Sequence, residues 1–108
     1  MRLIGILPLA LALVACATEP SSNSGQNAGR QIAETHCSSC HAVGVTGESP
    51  RPEAPSFRTL SRNYRVSTLE EALAEGISVG HPAMPAFQFQ PDEIDSLVGY
   101  LESIQEAP

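Results

Sequence analysis

The chain has 108 residues, enough for one small domain. Twelve acids against six basic residues leave a formal charge of −6, and there is no lysine and no tryptophan. That balance excludes nucleic-acid binding through a basic footprint; otherwise it aids solubility and carries no fold information.

Arg2 is a lone positive charge ahead of the apolar run Leu3–Val14, which is 12 residues long. This is the length of a signal-peptide core, well short of the roughly 20 apolar residues that a spanning helix needs. Gly5 and Pro8 weaken it further as a helix. Residues 1–15 therefore read as an export signal, with the mature protein outside the cytoplasm. Two cleavage points stand. Ala15-Cys16-Ala17 suits ordinary cleavage after Ala17, which would discard Cys16 and leave a soluble periplasmic protein. Leu13-Val14-Ala15-Cys16 resembles a bacterial lipoprotein box, and that resemblance implies cleavage before Cys16 and lipidation of its sulfur. The second is favoured, because a cysteine is an odd choice at a signal end and a tether follows it. Residues 16–27, rich in Ser, Asn and Gly, read as that flexible linker. Its span from Ala17 reaches at most roughly 36 Å when extended.

Residues 28–108 are the expected folded unit. Ala28–Cys40 is expected to form a first helix, with Ile32 and Ala33 apolar and Gly29 open to close packing. Residues 42–56 hold two glycines and three prolines, a density of breakers that makes a loop. Phe57–Tyr64 suits a short helix. Ser67-Thr68-Leu69-Glu70 matches a capping box, so a helix is expected over about 68–75, stopped by Gly76. Residues 81–89, HPAMPAFQF, form another loop, stiffened by Pro82 and Pro85. Pro91 then opens a last helix, with Asp92 and Glu93 in its first turn. Ile94, Leu97, Val98, Leu101 and Ile104 line one face of it. No strand pattern of useful length appears. A domain this small buries only about 60% of its unfolded surface. A bulky bound group would supply the core that its few large apolar side chains do not.

The stretch CSSCH, residues 37–41, decides what that group is. A zinc site wants four ligands, and beyond His41 only His81 and no further cysteine remain. A thioredoxin-like dithiol opens a helix after a strand, whereas this pair closes a helix with no strand before it. The third reading is C-x-x-C-H, the attachment signature of c-type haem: Cys37 and Cys40 add to the two vinyl groups, and His41 reaches the iron. Such attachment occurs outside the cytoplasm, in keeping with an export signal. Met84 is the only thioether left once Met1 is removed, and it sits alone between prolines rather than on a helix face. A His/Met axial pair, His41 with Met84, follows.

With these motifs in view, residues 28–106 resemble a small bacterial class I cytochrome c. The resemblance implies an all-α fold of three to four helices around one covalent haem c. It matches Gly29 to the glycine where first and last helices cross, and Leu97 and Tyr100 to the leucine and aromatic opposite. It matches Pro55 to the proline whose carbonyl accepts a hydrogen bond from the proximal histidine. Two departures stand out. Ala33 replaces a common aromatic, leaving bulk at the crossing for Tyr100 to fill. The usual lysines around the haem edge are absent, and Arg51, Arg58, Arg62 and Arg65 cluster instead as a solvated face, as propionate partners or as a docking surface. Phe57, Leu60, Tyr64, Ile77, Phe87 and Leu97 are candidate lining residues.

The implied function is one-electron transfer by a monomer between protein redox partners, with no small-molecule substrate and no enzymatic activity. A dihaem peroxidase would need a second C-x-x-C-H, which the chain lacks. Two alternatives stay open: a haem-bearing subunit of a dehydrogenase or oxidase complex, and a haem sensor in which Met84 is labile and His81 can take its place.

Overall fold

The computed structural model describes residues 3–16, 22–76 and 84–107. Its order is α1 (Ser22–His36), a 3₁₀ segment (Phe57–Arg62), a 3₁₀ turn (Val66–Thr68), α2 (Leu69–Glu75) and α3 (Pro91–Ser103). No strand occurs among the described residues. This is the all-α architecture that the sequence implies.

Helix α1 begins six residues before the expected start, inside the stretch read as linker, and ends at His36 rather than Cys40. The early start has a simple cause. Once Gly29 and Ala33 are buried against α3, the costly first turn is formed, and extension toward the N-terminus adds one bond per residue. The early end arises because residues 37–40 leave the helix as turns, with the His41 N–H still donating to the Cys37 carbonyl at 2.9 Å.

The capping box expected at Ser67 and Glu70 does not form. Ser67 lies in the 3₁₀ turn, and the N-cap of α2 is Thr68, whose hydroxyl donates back to the Arg65 carbonyl at 2.6 Å. Burial of Val66 draws the turn inward ahead of the helix. Gly76 ends α2 as expected, at φ 74°, a left-handed conformation that suits glycine. Pro91 is the first residue of α3, and Gln90 is its cap: the Gln90 N–H donates to Glu93 Oε2 at 2.8 Å.

The apolar face of α3 forms the centre of the core, with Ile94, Leu97, Val98 and Leu101 all buried. Helix α1 crosses it at Gly29. A β-carbon there would stand 1.9 Å from the Ser96 carbonyl oxygen and 2.7 Å from Tyr100 Cβ, so only glycine allows the approach. Ala33 is fully buried in the same cluster as Tyr100. The Tyr100 hydroxyl donates to the Val43 carbonyl at 2.6 Å and so ties α3 to the loop after His41.

Four bonds close the Pro-rich loop on itself. Ala42 N–H donates to Ser49 Oγ, Arg51 N–H to the Cys40 carbonyl, Ala54 N–H to the Arg51 carbonyl, and Phe57 N–H to the Ala42 carbonyl. The chain's C-terminal end then clamps the 3₁₀ segment. Gln105 Nε2 donates to the Phe57 carbonyl at 2.7 Å, and Gln105 Oε1 accepts from the Ser61 N–H at 2.8 Å.

Candidate functional site

The end of α1, the closed loop and the segment before α3 together surround one cavity. The cavity volume is about 170 Å³. Its wall brings together Cys37, His41, Pro55 and Met84, which are far apart in sequence. A second cleft shares Cys37, His41, Met84 and Phe87 with the cavity and adds Cys40 and Pro85.

His41 is buried, and its ring is held on two sides. Nδ1 donates to the Pro55 carbonyl at 2.7 Å, and the ring packs against Phe57 at 4.9 Å between centroids. The first contact assigns the proton to Nδ1 and leaves Nε2 as the free donor nitrogen, the arrangement of a metal-ligating imidazole with a backbone carbonyl behind it. The loop explains why the carbonyl is there. Its bonds to Cys40 and Ala42 fold residues 51–57 back onto the turn that carries His41.

Cys37 and Cys40 are each half-buried and are not joined to one another. Burial pushes the Cys37 thiol up to about 11, with the Cys40 sulfur adding to the rise. A neutral sulfur is the stable form in this wall, and a thioether made from it stays neutral at any pH. Among the described residues no group of three or more His, Cys, Asp or Glu is placed to hold a metal ion, so the zinc reading finds no ligand set there.

Of the six expected lining residues, Phe57, Leu60, Tyr64, Phe87 and Leu97 line the cavity. Ile77 lies outside the described residues, as does His81. Leu69, Leu73, Phe89 and Leu101 also line it and were not expected. The signal for three of them was present: Leu69 and Leu73 are one turn apart on α2, and Leu101 continues the α3 face. The wall is thus mostly apolar, with Cys37, His41, Tyr64 and Met84 its side chains that carry a heteroatom.

A family model described as Cytochrome C oxidase, cbb3-type, subunit III, matches residues 25–101. The chain belongs to the cytochrome c family. Its cofactor is a covalent c-type haem, with Cys37 and Cys40 in the position of the attachment motif. Cytochrome c6 of Picosynechococcus sp. is 32% identical over 90 residues, covering 80% of this chain and 77% of the relative. Cytochrome c-552 of Bradyrhizobium diazoefficiens is 30% identical over 95 residues, covering 86% of this chain and 89% of the relative. No solved structure matches.

The arginines of this cytochrome are matched locally by acids. Arg58 and Arg62 both reach Glu106, at 3.2 and 2.8 Å, and Arg51 lies 3.9 Å from Glu53. These pairs compensate Arg51, Arg58 and Arg62; the Arg58 side chain is only 18% exposed, and its Nη1 is buried without a hydrogen-bond partner among the described residues. Glu106 was invisible to the sequence reading, because its partners are more than forty residues away along the chain.

Proposed function

We propose that this cytochrome is a one-electron carrier between protein redox partners, with His41 and Met84 as axial ligands and Pro55 orienting the first. The observation that carries the reading is that His41 and Met84 line the same cavity, with His41 Nε2 free and Nδ1 bonded to Pro55. The haem supplies a single ferric/ferrous couple. Every other part of the task falls to the chain. Pro55 keeps a proton on Nδ1 and raises the donor strength of Nε2. The Met84 thioether, soft and uncharged, favours the ferrous state. Apolar walls from Phe57, Leu60, Leu97 and Leu101 exclude water and disfavour the additional charge of the ferric state. With both axial positions filled by protein there is none for a substrate, which is the argument against an enzyme. It also keeps ligation constant between oxidation states.

A potentiometric titration of the haem-loaded protein tests this. The expected result is one reversible single-electron wave, with the same curve in both directions and no carbon monoxide uptake by the reduced form. Hysteresis, or ready carbon monoxide binding, would favour the sensor with a labile Met84.

The same reading puts the protein on the periplasmic side of a bacterial membrane, held through a lipid on Cys16, as a signal (1–15), a tether that ends where α1 begins at Ser22, and a haem domain carried by α1 and the residues after it. In support, residues 3–16 carry no secondary structure, and their large apolar side chains are at least 79% exposed, so the run is no part of the core. No helix among the described residues is long and apolar enough to cross a membrane. Intact mass of the mature protein from a bacterial host with haem-attachment machinery is the check. One haem plus a diacylglycerol on Cys16 is expected. A haem-bearing chain beginning at Thr18 would instead mean a freely diffusing carrier.

The matched family model favours a second reading, a haem-bearing subunit of an oxidase complex. Stable co-purification with such a complex from detergent would select it over the free carrier.

A further inference from the structure

We propose that His36 is a positioning residue for Met84, tying the end of α1 to the segment on which Met84 sits; this rests on Met84 being an axial ligand. Three rings carry the argument. His36 is the last residue of α1, directly before Cys37. Its imidazole meets Phe87 edge-on at 5.8 Å and 62°, and Phe89 at 5.4 Å and 70°. Phe87 and Phe89 themselves stack at 5.7 Å and 19°.

The placement of these rings gives the cluster its meaning. Residues 84–90 contain no helix or strand, so side-chain contacts locate the Met84 sulfur. Phe89 is buried in the core cluster, and Phe87 lines the cavity beside Met84. His36 shares the second cleft with Met84, Pro85 and Cys40. The imidazole therefore links the helix that leads into the first attachment cysteine with the segment that carries Met84. Edge-to-face geometry sets the positive rim of one ring against the negative face of the next, which gives the link direction as well as bulk. Removing the ring releases the phenylalanine pair from α1. The fraction of molecules in which Met84 stands away from the iron then rises by about tenfold, the effect of losing one to two aromatic pairs.

A histidine at a helix end has an ordinary alternative use, as a positive charge on the C-terminal carbonyls. The experiment separates the two. Ferric, haem-loaded full-length protein is mixed with cyanide, and the rate of cyanide uptake is measured from the shift of the main haem absorption band for wild type, His36→Ala, His36→Phe and His36→Lys. The expected result is about tenfold faster uptake in His36→Ala, a rate near wild type in His36→Phe, and no rescue in His36→Lys. Wild-type uptake in His36→Ala would overturn the proposal, and so would rescue by lysine without rescue by phenylalanine. Met84→Ala, run alongside, keeps the two levels apart. If wild type takes up cyanide as fast as Met84→Ala, the axial reading itself fails. If Met84→Ala is fast and His36→Ala is not, only the role of His36 fails.

Discussion

Replacing Met84 with alanine lowers the reduction potential by on the order of 100 mV and opens the iron to external ligands; axial ligation in haem proteins spans roughly 0.8 V in total. Two effects add. A soft thioether is exchanged for water or nothing, and hard oxygen donors favour the ferric state. The change also unblocks a path, because Met84 borders both the main cavity and the cleft that reaches Cys40 and Pro85. Water then enters a wall otherwise made of Phe87, Phe89, Leu97 and Leu101, and the local medium becomes more polar. Redox titration reads the first effect, and cyanide or carbon monoxide binding followed by absorbance reads the second. If neither the potential nor the ligand affinity moves, Met84 is not an axial ligand.

Gly29→Ala destabilises the domain by about 1–3 kcal/mol or more, although alanine is the better helix former by about 0.8–1 kcal/mol. Geometry sets the sign. The new methyl would lie 1.9 Å from the Ser96 oxygen and 2.6 Å from its carbonyl carbon, both backbone atoms of α3. No side-chain rotation relieves that clash, so the helices must separate. Separation moves Leu97 and Leu101, which line the cavity, and so loosens the cofactor's surroundings as well as the crossing. Gly99→Ala, on α3 itself, is the control: its added carbon meets nothing within 4 Å, and propensity alone predicts a gain in stability. Thermal unfolding of the two haem-loaded variants checks the contrast. A rise for Gly29→Ala would mean that the crossing is not as close as described. Against a total stability of about 5–15 kcal/mol, the expected loss is a large share.

Much of the site was legible without coordinates because its chemistry is local. Cys37, Cys40 and His41 lie within one turn, so their joint use is written in spacing alone. Met84 was named by elimination, as the one thioether left once Met1 is removed, and it lines the same cavity as His41. Helix α3 was legible because its apolar face repeats at helical spacing and Pro91 marks its start. Gly29 was legible only through family resemblance; nothing in its own neighbourhood distinguishes it from Gly25, which meets nothing within 4 Å.

The misread parts depend on what packs against them. The capping box at Ser67 follows a good local rule, yet burial of Val66 puts a 3₁₀ turn there and moves the cap to Thr68. The use of the arginine run stayed open in the sequence, because Glu106, which lies beside Arg58 and Arg62, is more than forty residues away along the chain. The role of Gln105, which bonds at once to Phe57, Leu101 and Ser61, had no local signature at all.

The sequence by itself therefore determined the cofactor chemistry, the helical class and the order of elements, since these follow from residue type and short-range spacing. Tertiary structure alone decided which rings flank the Met84 segment and that Glu106 stands beside Arg58 and Arg62; the carbonyl that meets His41 is the Pro55 one that the resemblance implied. The contacts of His36 with Phe87 and of Glu106 with Arg58 and Arg62 join residues more than forty positions apart. No local pattern encodes such pairs. They exist because burying the α3 face against Gly29 and Ala33 brings distant segments into register around one cavity.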